Sequence, residues 1–270
     1  MSRAQAYRLM KARGEKIVVL TAYDAPTARD EAEAGVDIIM VGDSVGTNVL
    51  GYASEREVTL ADMAHHIAAV RRGAPGAYII GDLPYATYDT PEQAQESAAR
   101  LAAAGADCVK FEGARLDIVR ALKDGGHDVC CHVGLESQHQ AAKRRQGKTA
   151  QTARKLLDDA VALDEAGQDF LVLELIPREL AARITETLHA PTIGIGAGAQ
   201  CDGQVLVLHD LAALGRREYK HNRRYGEIGA ALRGAVAAYA RDVREGRFPA
   251  QEHGFSLAPE ELAAFEKGFS

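Results

Sequence analysis

The chain has 270 residues, 47% hydrophobic and 26% charged, with a formal net charge of -6. That balance is ordinary for a soluble globular protein with a sizeable core, and the acidic charge argues against a dedicated nucleic-acid binder, which would carry a basic surface. No apolar run approaches the roughly 20 residues of a membrane span, and no linker or repeat divides the sequence, so one domain over residues 1–270 is expected.

The N-terminal stretch Met1–Lys11 is short and amphipathic and lacks the apolar centre of a signal peptide. Eight short apolar runs follow: Ile17–Tyr23, Asp37–Ser44, Ala77–Tyr85, Cys108–Gly113, Asp128–Leu135, Asp169–Ile176, Pro191–Gly198 and Gln204–Asp210. Their cores (IVVL, IIMV, YII, FLVLEL, VLVL) are nearly continuous in Val, Ile and Leu, as in parallel strands covered on both faces.

Most gaps between the runs carry helical patterns. Thr59 to Gly73 and Thr149 to Gly167 each read as a helix with Gly just past its end. Thr90-Pro91-Glu92-Gln93 is a capping box with Pro at the first helical position, and its helix stops at Gly105. The gap from Gly198 to Gln204 is too short for a full helix, and a long helix from about Gly229 to Glu245 follows the eighth run. Strands and helices alternating about eight times at this length predict a closed (β/α)8 TIM barrel. Cys108, Cys130, Cys131 and Cys201 lack zinc-ligand spacing and read as buried free thiols, which fits a reduced cytoplasm.

The polar residues in these runs cluster at one end. Tyr23 and Asp24, Asp43 and Ser44, Asp82, Lys110 and Glu112, His132, Glu174, and His209 with Asp210 all fall at or near C-terminal ends, the face on which barrels build active sites. Strand-end caps or salt bridges explain any one of them, but seven strands ending this way argue for a site, because ionisable groups are rarely buried without partners. Asp43, Asp82 and Glu112 are three carboxylates converging on one mouth, where a cation is needed to compensate them. An all-oxygen set suits Mg²⁺. Lys110 lies two residues before Glu112 and so faces the same side, offering a fixed charge to an oxyanion.

A divalent ion chelated by a 2-oxo acid would stabilise its enolate, provided a base removes the proton. Glu174, alone in the apolar LVLELIP run, is the candidate base, with desolvation expected to raise its pKa. The competing reading is a salt bridge inside the barrel. His132 is read as a donor to substrate, against a satisfied core histidine. Gly194-Ile-Gly-Ala-Gly198 is a tight turn that leaves room for an anion, without the helix of a dinucleotide fingerprint.

Eight ordered segments, TAYDAP (21–26), MVGDSVG (40–46), HHIAAVRRGAP (65–75), GDLPYATY (81–88), CVKFEG (108–113), LVLELIP (171–177), GIGAG (194–198) and DGQVLVLHD (202–210), together resemble the ketopantoate (3-methyl-2-oxobutanoate) hydroxymethyltransferase family, as does the tail RFPAQEHGF. The resemblance implies a barrel of the phosphoenolpyruvate/pyruvate type that uses Mg²⁺ and 5,10-methylenetetrahydrofolate to hydroxymethylate 3-methyl-2-oxobutanoate. It implies Asp43 and Asp82 as metal ligands that also meet the substrate, and Glu112 as a ligand directly or through water. Ser44, Lys110 and His132 would hold the oxo acid and Glu174 would be the base, in a large homo-oligomer, often a decamer.

Three stretches depart from the family's pattern. Thr47-Asn48 and ASEREVT (53–59) replace an apolar pair and DSTLPVT. GLESQHQAAKRRQGKTA (134–150) replaces GLTPQ and a GGYxVQG loop, and GRREYKHNRRYGEI (215–228) replaces a PKF-type segment. Lys143, Arg144, Arg145 and Lys148, then Arg216, Arg217, Lys220, Arg223 and Arg224, make two of these loops basic. They read as solvated loops or subunit contacts, or as a grip on an anion such as a folate's glutamate tail. The rival functions are the same chemistry on another 2-oxo acid, a Mg²⁺-dependent lyase or mutase, and a non-catalytic binding protein.

Overall fold

The computed structural model describes residues 3–139, 145–215 and 219–268. Eight parallel strands close into a barrel in sequence order: β1 Ile17–Thr21, β2 Ile38–Val41, β3 Tyr78–Asp82, β4 Cys108–Glu112, β5 Asp128–Gly134, β6 Phe170–Glu174, β7 Thr192–Ile195 and β8 Gly203–Leu206. The helices are α1 Arg3–Arg13, α2 Ala25–Glu33, α3 Leu60–Gly73, α4 Pro91–Ala104, α5 Leu116–Asp124, α6 Ala150–Glu165, α7 Arg178–Thr187, α8 Leu208–Leu211, α9 Ile228–Arg244 and α10 Pro259–Lys267. No helix among the described residues is long and apolar enough to cross a membrane.

The two-residue alternation of the strands separates two cores. Ile38, Met40, Tyr78, Ile80, Phe170 and Val172 point into the barrel, whereas Ile39, Val41, Ile79, Phe111, Leu171 and Leu173 point outward beneath the helices. The N-terminal stretch forms α1, whose Ala4, Tyr7 and Met10 plug the barrel's N-terminal end; the Tyr7 ring meets Tyr78 and Phe170 edge-on. All four cysteines are buried and unpaired with one another.

Three details differ from the sequence reading. Strand β8 stops at Leu206 rather than running to Asp210, because the Leu208 N–H donates to Thr21 Oγ1 and the chain turns into α8, carrying His209 and Asp210 on a helical turn. Gly73 is the last residue of α3 rather than the one beyond it. Its role is close approach, since a Cβ there would lie 2.1 Å from the Ala25 carbonyl oxygen. At α4 the Thr90 side chain caps Gln93 N, but the Gln93 side chain accepts from Asp89 N instead of completing the box at Thr90.

Candidate active site

Strand register puts the polar groups side by side. Asp82 pairs with Lys110 across β3 and β4, and Glu112 pairs with His132 across β4 and β5. All four residues, with Asp43 just past β2, are buried. They floor a cleft of about 1800 Å³ at the C-terminal end of the barrel, also lined by Ser44, Glu174 and His209.

Lys110 Nζ donates to Asp82 Oδ2 at 2.7 Å, and Asp43 N donates to the same oxygen at 3.3 Å. Asp82 Oδ1 is buried without a hydrogen-bond partner. Burial, then the neighbouring Asp82 carboxylate, pushes Asp43 up to about 7 against the opposing pull of Lys110. Burial works against charge on Lys110, but Asp82, Asp43 and Glu112 outweigh it and hold its pKa above the ordinary lysine range. One cation among three carboxylates therefore leaves the pocket short of positive charge.

Glu112 is turned toward the loop after β5. Its Oε1 accepts from Ser137 Oγ at 3.1 Å and its Oε2 from Gln138 N at 2.8 Å. Gln138 Nε2 donates to Asp43 Oδ2 at 2.8 Å. Among the described residues, no group of three His, Cys, Asp or Glu is disposed to hold a metal ion. The three carboxylates expected as a ligand set do share the cleft, but Asp43 and Asp82 adjoin directly while Glu112 meets Asp43 only through Gln138.

His132 Nε2 lies 3.2 Å from Glu174 Oε2, and Nδ1 lies 3.7 Å from Glu112 Oε1. Burial disfavours charge on the imidazole, but the adjacent Glu174 carboxylate and the field of Glu112 outweigh burial and Lys110, raising its pKa, although neither ring nitrogen has the geometry of a hydrogen bond. Glu174 sits at the exit of β6 with its side chain 22% exposed, so the burial expected from its apolar run is incomplete. Its backbone is fixed from both sides. Gly134, at φ 110°, passes so close that a Cβ would lie 2.2 Å from Glu174 O, and Leu175 takes the left-handed φ of 50° rare for a bulky side chain. Ser44 Oγ pairs with Tyr23 OH at 2.8 Å.

The altered loops do border the cleft. Thr47, Asn48, Ala53 and Glu55 line it from the first, Arg145 and Lys148 from the second, and Lys220 from the third. Arg223 instead stacks over the Tyr225 ring and Arg224 faces Glu227, so neither joins the lining. Lys143, Arg144, Arg216 and Arg217 lie outside the described residues. Gln138 is not among the residues singled out from the sequence; a neutral amide in a loop carries no charge or periodicity signal, and its place at the Gln of the GLTPQ pattern is the one sequence clue to the role its hydrogen bonds give it.

A sequence model of ketopantoate hydroxymethyltransferase matches residues 2–251. The chain is 48% identical over 261 residues to the 3-methyl-2-oxobutanoate hydroxymethyltransferase of Chloroflexus aurantiacus, spanning 94% of this chain and 93% of that one. It is 49% identical to the enzyme of the same name from Deinococcus radiodurans, over 92% of this chain and 91% of the relative. Among solved structures, phosphonopyruvate hydrolase in complex with oxalate and Mg²⁺ superposes with a TM-score of 0.62 at 14% identity, covering 99% of this chain and 96% of that one. A 2,3-dimethylmalate lyase of the PEP mutase/isocitrate lyase superfamily gives 0.57 at 17% identity, with 97% and 94% covered. These two likenesses concern the fold alone.

Proposed function

The chain belongs to the ketopantoate hydroxymethyltransferase family, and from that premise we propose that it transfers a hydroxymethyl group from 5,10-methylenetetrahydrofolate to 3-methyl-2-oxobutanoate. The product is 2-dehydropantoate, a precursor for pantothenate and coenzyme A. The observation that carries the reading is the meeting of Asp43, Asp82, Lys110, Glu112, His132 and Glu174 at one barrel mouth. The whole chain acts as one barrel domain.

We assign Asp43 and Asp82 to Mg²⁺, with Glu112 reaching it directly or through water. The residues fit such an ion: Asp82 Oδ1 is buried and unpartnered, and Asp43 is held toward protonation by burial and then by the Asp82 carboxylate beside it. Mg²⁺ typically uses one or two carboxylates and keeps waters and substrate oxygens in its remaining positions. Bound there, it supplies Lewis acidity to the 2-oxo acid and so acidifies the adjacent C–H.

The chain's own groups do the rest. Ser44, with its hydroxyl fixed by Tyr23, donates to the oxo acid. Lys110 sets a permanent positive charge beside the developing negative charge, in a dry site where it counts more than in water. Glu174 takes the C3 proton, and His132, beside its Oε2, keeps that carboxylate aimed and contacts substrate. The C3 carbon bonds to the folate's methylene carbon as both bonds from that carbon to the folate nitrogens N5 and N10 break; one water supplies the hydroxyl of the new group, and its remaining proton and the proton from C3 go to the two nitrogens, releasing tetrahydrofolate.

The cleft exceeds the usual range of roughly 300–1,000 Å³ for small-ligand pockets, which suits a folate lying over the acid. Arg145, Lys148 and Lys220, on the lining of the cleft, support a contact with its glutamate tail. A lyase or mutase working through a loop cysteine is disfavoured, since no cysteine lines the mouth.

The four free thiols fit a cytoplasmic setting. A homo-oligomer, decameric in the family's manner, is supported by α9, where Leu232, Val236 and Tyr239 share one face and are 57–59% exposed. With Mg²⁺ and 3-methyl-2-oxobutanoate in D₂O, without folate, NMR should show exchange of the C3 proton that needs Mg²⁺ and disappears in Glu174→Gln. Exchange with a different 2-oxo acid but not with this one would refute the assigned acceptor.

A further inference from the structure

The loop after β5 reaches into the carboxylate cluster through a single neutral side chain. Gln138 is 1% exposed, and its Nε2 donates both to Asp43 Oδ2 at 2.8 Å and to Leu83 O at 3.1 Å. Its Oε1 accepts from Tyr88 OH, and that hydroxyl is 2.9 Å from His139 Nε2. A carboxylate and a carbonyl can only accept, so the amide's NH₂ must face Asp43 and Leu83 and its oxygen must face Tyr88. Tyr88, packed on Phe111 and 2% exposed, then holds the amide's oxygen end in place.

The consequence falls on Asp43. With Oδ2 held by Gln138, the carboxylate cannot turn freely. The Gln138 backbone N–H separately anchors the loop on Glu112, so the side chain's task is distinct from holding the loop shut.

We propose that Gln138 is a positioning residue for the metal site, orienting Asp43 through its Nε2, with Tyr88 OH orienting Gln138 in turn. The proposal rests on the assignment of Mg²⁺ to Asp43 and Asp82. Outer groups of this kind set the direction and basicity of a metal's ligands, and their loss typically weakens metal binding by about 10- to 100-fold.

The test is Mn²⁺ titration, followed by electron paramagnetic resonance, of the full-length protein with saturating 3-methyl-2-oxobutanoate and no folate, so that nothing turns over. Gln138→Leu keeps the backbone anchor and removes only the amide. It should raise the Mn²⁺ Kd by about tenfold or more, with the folate KM at the parent's value. Tyr88→Phe keeps the ring packing and should shift Kd the same way by a smaller factor, with the thermal midpoint near the parent's. Parent-like Mn²⁺ affinity in folded Gln138→Leu overturns the proposal. If that variant does not fold, parent-like affinity in Tyr88→Phe overturns it instead. A parent that takes up no Mn²⁺ sinks both this inference and the metal assignment, whereas a parent that binds Mn²⁺ no better than Gln138→Leu sinks only this one.

Discussion

The two ends of the barrel both carry carboxylates, and they treat them in opposite ways. At the N-terminal end, Asp107, Asp169 and Asp202 each stand just before a strand. Each accepts a backbone N–H from a neighbouring strand (Ile79, Val129 and Thr192) and each meets a cation of α1 (Arg3, Arg8 and Lys11). Arg71 and Lys123 reinforce the first two. At the C-terminal end, Lys110 faces Asp43, Asp82 and Glu112 with only the His132 imidazole, 3.7 Å from Glu112, beside it among the described residues, and a buried oxygen of Asp82 is left over. One end spends its polar groups on holding α1 and the strands together. The other keeps them under-compensated, at some cost in stability, as a site that must bind charge requires.

The sharpest way to break this contrast is Lys110→Met. The pair with Asp82 is nearly dry, its side chains 7% and 3% exposed, and removing one partner of such a pair typically costs about 3–5 kcal/mol. Activity should vanish and the metal-free thermal midpoint should drop by roughly 10 °C, at about 2–4 °C per kcal/mol for a chain near this size. A midpoint that stays put would mean the upper carboxylates are not in conflict.

Asp169→Ala probes the other end. It strands the Val129 N–H, while Lys123 keeps Asp128 at 3.8 Å and some access to solvent, and should cost about 1–3 kcal/mol by the usual penalty for one unsatisfied buried group. The folded fraction should keep the parent's kcat/KM. A selective loss of kcat would contradict the division of labour between the ends.

Asp43→Asn should act with the opposite sign. Because its pKa is raised by folding, the native state binds this proton more tightly than the unfolded chain does. The resulting penalty is absent below about pH 4, the range of an unfolded aspartate, and complete above about 7. In EDTA the variant should therefore melt above the parent at pH 8, with the gap closing as pH falls toward 4. A gap that is independent of pH would refute the account of Asp43 as a buried carboxylate further crowded by Asp82.

The smallest effect is expected for Arg3→Ala. Its bond to Asp107 is 2.8 Å, but the arginine side chain is 49% exposed and Arg71 still holds Asp107, and such pairs contribute about 0.2–1 kcal/mol. Chemical denaturation should register it as a slight fall in midpoint with no change in activity.

Much of this was legible in the chain. Short, nearly continuous apolar runs marked the eight strands, and Asp82, Lys110, Glu112, His132 and Glu174 could be placed on one face because strand ends and side-chain alternation are local properties. The end of β8 was not, since Gln204–Asp210 reads as one apolar run and only the bond from Leu208 N to Thr21, 187 residues away in sequence, turns it. Gly73 looked like a helix stop when its real constraint is the backbone of α2.

What the sequence determined by itself is the alternation of elements and the stock of charged groups at the mouth, because both follow from spacing along the chain. Tertiary structure decided which charges meet. It turned Glu112 toward Ser137 and Gln138, left an oxygen of Asp82 unpaired, and put a neutral amide from the loop after β5 against Asp43. Those outcomes depend on distances between groups far apart in sequence, which closing the barrel fixes and residue order does not encode.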